Sequence, residues 1–179
     1  MQAQVLPPAT PFASGAPRFA AGPATDALAA WSQAYAARGT ACAAEVGGEF
    51  AVALALPGGA TYLAVDRFAV HSLCYAVHDG RLHFAARADE LARLLGIREL
   101  DTQAIFDYLF HHCIPSPRTI YAGIHRLPPA HYALFENGKL TVAPYWVAAL
   151  TLGFLALPRA GDLEGLDEPL PAAPSEPGS

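Results

Sequence analysis

Two Asx-Gly dipeptides constrain this chain more than any other feature. Asp79-Gly80 stands between the apolar runs Leu73–His78 and Leu82–Ala86, and Asn137-Gly138 stands between His131–Glu136 and Leu140–Ala143. A two-residue hairpin loop of type I′ needs a positive φ at both positions, which Asn or Asp followed by Gly tolerates best. Each dipeptide therefore predicts a tight antiparallel hairpin. Pro57-Gly58-Gly59 turns a third pair, Glu49–Leu56 into Thr61–Val65. Strands joined this locally pair antiparallel, without the long crossover a parallel pair requires. No strand–helix–strand unit stands out, and no Gly-rich phosphate loop follows a strand.

Helices interrupt the strands. Thr25 reads as an N-cap, Leu28, Trp31 and Tyr35 share one helical face, and Gly39 ends the segment. Ala88–Leu95 reads as a helix stopped by Gly96. Asp101 caps another, in which Ile105 and Leu109, and Phe106 and Phe110, pair at i, i+4. That helix must end before Pro115. The fold class is α+β with antiparallel pairing. Residues 1–23 read as a loose lead-in, with at most a short strand near Pro17–Ala20. Residues 24–146 form the domain. Residues 147–179 read as a flexible Pro-rich tail, with five prolines from Pro158 onward.

Charge excludes some functions. Eleven basic against sixteen acidic side chains give a net −5, and Lys139 is the one lysine. A phosphate-backbone binder needs a basic stripe, so no nucleic-acid partner is expected. Met1–Ala13 lacks a basic start followed by an apolar run, and Val147–Leu157 is too short to span a bilayer. No membrane partner is expected, and the chain reads as cytoplasmic. Cys42, Cys74 and Cys113 are isolated and predict reduced, core-type thiols.

Six blocks, in order from Gly48 to Trp146, carry a family resemblance. They are Gly48-Glu49-Phe50-Ala51-Val52-Ala53-Leu54; Asp66-Arg67-Phe68 with Leu73 and Tyr75; Leu82-His83-Phe84-Ala85; Leu100-Asp101 with Ile105, Tyr108 and Leu109; Pro115, Pro117, Thr119-Ile120-Tyr121, Gly123-Ile124 and Leu127-Pro128-Pro129-Ala130-His131; and Tyr145-Trp146. Together they resemble the glutaminase (class II glutamine amidotransferase) domain of glutamine-hydrolysing asparagine synthetases. The resemblance implies a four-layer α-β-β-α sandwich of antiparallel sheets, of the N-terminal-nucleophile hydrolase type, incomplete at its N-terminal end. Local departures mark a divergent branch: Val65, Ala69, His71-Ser72 and Ala86-Arg87 replace family residues.

The chemistry that the resemblance implies is only partly represented. The family's nucleophile is an N-terminal Cys whose thiolate attacks the glutamine amide carbon, whereas this chain reads Met1-Gln2. The family's oxyanion Asn has no counterpart, since the one asparagine, Asn137, sits in a hairpin turn. Such a donor contributes roughly 10²–10³ in rate. Ala24 stands where the family has the Asp that holds the substrate amine. The expectation is therefore a degenerate site with no catalytic residue, and doubtful glutamine binding. No S-G-G-x-D-S loop follows Trp146, so ATP and magnesium would belong to a separate synthetase-like ATP-using partner. The chain reads as truncated, either a gene fragment or one half of a split system.

Other clusters carry less. His111 and His112 diverge on a helix, and His71, His78 and His83 surround a hairpin without completing a metal set. Cys74 reads as buried, and Cys113 lies at a helix C-terminus, where the dipole disfavours a thiolate. Asp66 and Arg67 are the pair to weigh as a domain interface. An internal salt bridge between them is the favoured reading.

Overall fold

The structure, a computed structural model, describes residues 10–22 and 24–147. Readings for residues 1–9 and for the tail from 148 to 179 lie outside the described residues. Among the described residues eight strands form two antiparallel sheets. β1 (Phe12–Arg18), β2 (Gly47–Ala55), β3 (Thr61–Val65), β7 (His131–Glu136) and β8 (Lys139–Pro144) make the larger, in the order β1-β2-β3-β7-β8. β4 (Cys74–His78), β5 (Arg81–Ala85) and β6 (His125–Arg126) make the smaller, in the order β5-β4-β6.

The sheets face each other across one apolar layer. Ala51, Ala53, Leu63, Val65 and Ala133 of the larger sheet meet Tyr75, Leu82 and Phe84 of the smaller, with Leu73 and Leu127 from the flanking loops. Small side chains on β2 let the two sheets approach. The outer face of the larger sheet, through Phe50, Val52, Leu54, Tyr62 and Ala64, is covered by helices α1 (Ala27–Arg38) and α2 (Cys42–Glu45). Trp31 of α1 is fully buried there, edge-on to Phe50 at 4.8 Å between centroids. Strand β2 is thus buried on both faces, which is why Phe50–Leu54 reads as an unbroken apolar run rather than an alternation. The outer face of the smaller sheet, through Cys74 and Ala76, packs on Leu91 and Ala92 of α3 (Ala88–Leu95). The layer order is α-β-β-α.

The hairpins form as the turn chemistry demands. Asp79 and Gly80 have φ of 49° and 70°, and Asn137 and Gly138 have φ of 50° and 76°. Helix α4 (Thr102–His111) starts at Asp101, whose carboxylate accepts the N–H groups of Gln103 and Ala104. It ends at His112, ahead of Pro115. Its Phe106–Phe110 pair stacks with centroids 6.1 Å apart.

Two expectations need correction. The N-cap of α1 is Asp26, not Thr25, because the Asp26 carboxylate accepts the Ala29 N–H at 3.1 Å. The lead-in is not loose throughout: residues 12–18 form β1, paired with all of Gly47–Ala53. The expected strand near residues 17–20 therefore begins five residues earlier. Gly15, Ala16 and Pro17 carry no apolar alternation, and the strand is held by main-chain pairing along β2, which leaves no periodic signature.

Candidate functional site

Four of the six sequence blocks meet at one buried point, the end of β3. Asp66 is 2% exposed. Its carboxylate accepts the N–H groups of Phe50 at 3.1 Å, Phe68 at 2.9 Å and Val70 at 3.1 Å. Its main chain exchanges a further bond with Phe50, and its carbonyl accepts the N–H groups of Ala69 and Ala130. Ala130 closes the Pro128-Pro129 turn with φ of 60°. The Ala130 carbonyl then accepts the Tyr145 N–H at 2.9 Å, while the Tyr145 hydroxyl donates to the Val65 carbonyl at 2.7 Å. Burial, with the Asp66 charge nearby, holds the Tyr145 phenol well above its usual range, so it stays a donor at any physiological pH. A buried charge is tolerable only when hydrogen bonds satisfy it, and here main-chain amides do so.

Asp66 and Arg67 therefore do not form the internal salt bridge expected of them. Their side chains go different ways. Asp66 points inward to amides, and its carboxylate offers nothing to a partner surface. Arg67 lies on the exterior, donating to the Ala44 carbonyl at 3.3 Å with its guanidinium 5.4 Å from the Trp146 ring centroid. Of the two, only Arg67 remains available to an interface.

A second knot organises the segment after α4. The buried Thr119 hydroxyl donates to the Ile124 carbonyl at 2.8 Å and accepts the Tyr121 N–H at 3.2 Å. Arg118 reaches Asp107 at 3.3 Å and Asp101 at 3.8 Å, tying the Pro115–Pro117 loop to α4. Asp101, Arg118 and Ile124 line a cleft of about 330 Å³ with Pro115, Tyr121 and His125. The blocks legible in the sequence are thus mostly turn and knot residues that fix strand ends, and they set the scaffold more than any chemistry.

The thiols are placed as inert groups or away from partners. Cys42 and Cys74 are buried, and burial pushes both thiols up from their ordinary range. Cys42 donates to the Tyr62 hydroxyl at 3.6 Å. Cys113 is exposed just past the α4 C-cap His112. Among the described residues no three His, Cys, Asp or Glu side chains converge as a metal set. His83 is buried with Nδ1 unpartnered, and burial lowers its pKa. His78 sits beside it, 6.5 Å between centroids. His71, grouped with these two in the sequence, is instead drawn against β1: its ring approaches Ser14 and Glu49. Sequence spacing does not reveal that group, because its members are separated by tens of residues and carry no motif.

Among the described residues no helix is long and apolar enough to cross a membrane. No curated protein matches the chain in sequence. A family profile described as the glutamine amidotransferase domain matches residues 19–146, most of the chain and nearly all of the described fold. The sandwich architecture and this match together establish that the chain belongs to the glutamine amidotransferase domain family.

Proposed function

We propose that this chain is an asparagine-synthetase-type amidotransferase scaffold that does not hydrolyse glutamine by itself. The observation that carries the reading is the placement of its thiols. Cys42 and Cys74 are buried and held protonated, and Cys113 lies exposed just past the α4 C-cap. Covalent amide hydrolysis needs an accessible nucleophile beside a base and a donor for the oxyanion. Asn137, the one asparagine, is committed to the β7–β8 turn. ATP and magnesium would enter through a separate synthetase-like domain. The reduced thiols support a cytoplasmic setting. Purified chain incubated with glutamine should release no ammonia above buffer. Ammonia release that survives the Cys42→Ser, Cys74→Ser and Cys113→Ser changes together, or that any one of them abolishes, overturns this reading.

A second reading is a non-catalytic module that docks on a synthetase-like partner. It is favoured by helix α4, where Phe106, Leu109 and Phe110 are 59%, 71% and 70% exposed. Large apolar side chains grouped on one helix face mark contact surfaces. Copurification with an ATP-using partner, lost on Leu109→Asp, supports the module. A stable monomer that retains no partner at its native abundance counts against it.

A further inference from the structure

We infer that Ser14, His71 and Glu49 form a hydrolytic site for small apolar acyl esters at the β1 edge of the larger sheet. Ser14 lies on β1, Glu49 on β2 and His71 in the loop after Asp66, so only the tertiary fold brings them together. The Ser14 hydroxyl lies 3.4 Å from His71 Nδ1, and His71 Nε2 lies 3.9 Å from the Glu49 carboxylate. Nucleophile, base and orienting acid stand in series, the arrangement that activates a weak hydroxyl nucleophile. Both distances are long for a working bond, as is usual before substrate binds.

Three independent features support the assignment. First, His71 Nε2 is a buried nitrogen without a hydrogen-bond partner, and Glu49 is the carboxylate that faces it. A proton on Nε2 directed at Glu49 leaves Nδ1 as the acceptor facing Ser14. Second, Gly15 makes room for the ring. A Cβ there would lie 2.8 Å from His71 Cδ2 and 2.4 Å from the Glu49 carbonyl oxygen. Third, a main-chain donor adjoins the nucleophile. Phe50 gives its N–H and its carbonyl to Asp66, so its β1 partner Gly15 falls at a non-hydrogen-bonded position of the β1–β2 ladder. Among the described residues this leaves the Gly15 N–H, next to Ser14, as a donor for an oxyanion.

The surroundings choose the substrate. Ser14 is exposed on β1, which is an edge strand among the described residues. The loop that carries His71 also exposes Phe68 and Val70. Glu49 disfavours a substrate carboxylate, and an uncharged apolar acyl group is the class this chemistry takes. In the first step Ser14 Oγ bonds to the ester carbonyl carbon and its proton passes to His71 Nδ1. The C–O bond to the alcohol breaks, and the leaving oxygen takes that proton. In the second step water bonds to the acyl carbon as Nδ1 takes a water proton. The bond to Ser14 breaks, the carboxylic acid leaves, and Oγ recovers the proton.

This site is independent of glutamine hydrolysis, and the two are tested by different readouts. Purified chain is treated with an alkyl fluorophosphonate and mapped by peptide mass, and p-nitrophenyl acetate turnover is followed in parallel. Modification is expected at Ser14. Turnover should vanish in Ser14→Ala and fall by roughly 10²-fold in His71→Asn. Glu49→Gln should lower it less, as expected of a positioning residue, with an unchanged melting temperature. Ser14→Cys gives a second measure: iodoacetamide should modify position 14 faster than Cys113, and His71→Asn should erase that advantage. Labelling elsewhere, turnover unchanged in Ser14→Ala, or alkylation at position 14 indifferent to His71 overturns the proposal.

Discussion

The Asp66 carboxylate accepts the Phe50 N–H at 3.1 Å across sixteen residues of chain, so one buried charge ties β2 to the loop beyond β3. The same carboxylate holds Phe68 and Val70, and through Val70 it sets the course of the chain into His71.

Asp66→Ala leaves three main-chain N–H groups without their acceptor, that of Phe50 in a buried position. It should destabilise the fold by on the order of 3 kcal/mol. Arg67→Ala, one residue away on the exterior, should cost less than about 1 kcal/mol. Urea unfolding midpoints of the two variants separate them.

Gly15→Ala and Gly138→Ala form a matched comparison. Gly15 has φ of +92° and a Cβ there would clash with the Glu49 carbonyl, whereas Gly138 has φ of +76° and open space around it. The second should cost about 1 kcal/mol from backbone conformation alone. The first adds a steric clash with main chain and should cost at least about 2 kcal/mol. Thermal melts of both variants check the difference.

His83 gives the fold an acid sensitivity. Burial, then the nearby His78 and Arg81, lower its pKa in the folded state. The unfolded chain therefore binds this proton more readily than the native one. Its contribution to stability is complete above the unfolded value near 6.5 and is lost as pH falls from there toward the folded value. His83→Leu should flatten the stability curve across that window, measured by urea titration from pH 7.5 to 5.

The thiols should divide by access. Native protein should react rapidly with a disulfide reagent such as DTNB at Cys113 only, and at Cys42 and Cys74 after denaturation. Fast native modification of Cys42 would contradict its packing beneath α1.

The hairpins were legible because their signal is local. Asp79-Gly80 and Asn137-Gly138 can adopt positive φ at both positions, and the observed turns follow directly. Helix α3 runs over the expected Ala88–Leu95, and α4 starts at the expected cap Asp101. Strand β1 was largely missed, since Gly15, Ala16 and Pro17 pair through main chain and show no pattern. The Asp66–Arg67 pair was misread, because adjacency in sequence says nothing about which side chain turns inward.

By itself the sequence determined the turns, the α3 bounds, the α4 cap and the family blocks, because each is set by φ preference, capping or pattern within a few residues. The tertiary structure decided which strands neighbour one another, that Asp66 is buried among amides, and that Ser14, Glu49 and His71 share one edge. Those relations depend on how two sheets stack and on where a loop crosses them. Burial and long-range approach arise from packing, and no local stretch of residues carries that information.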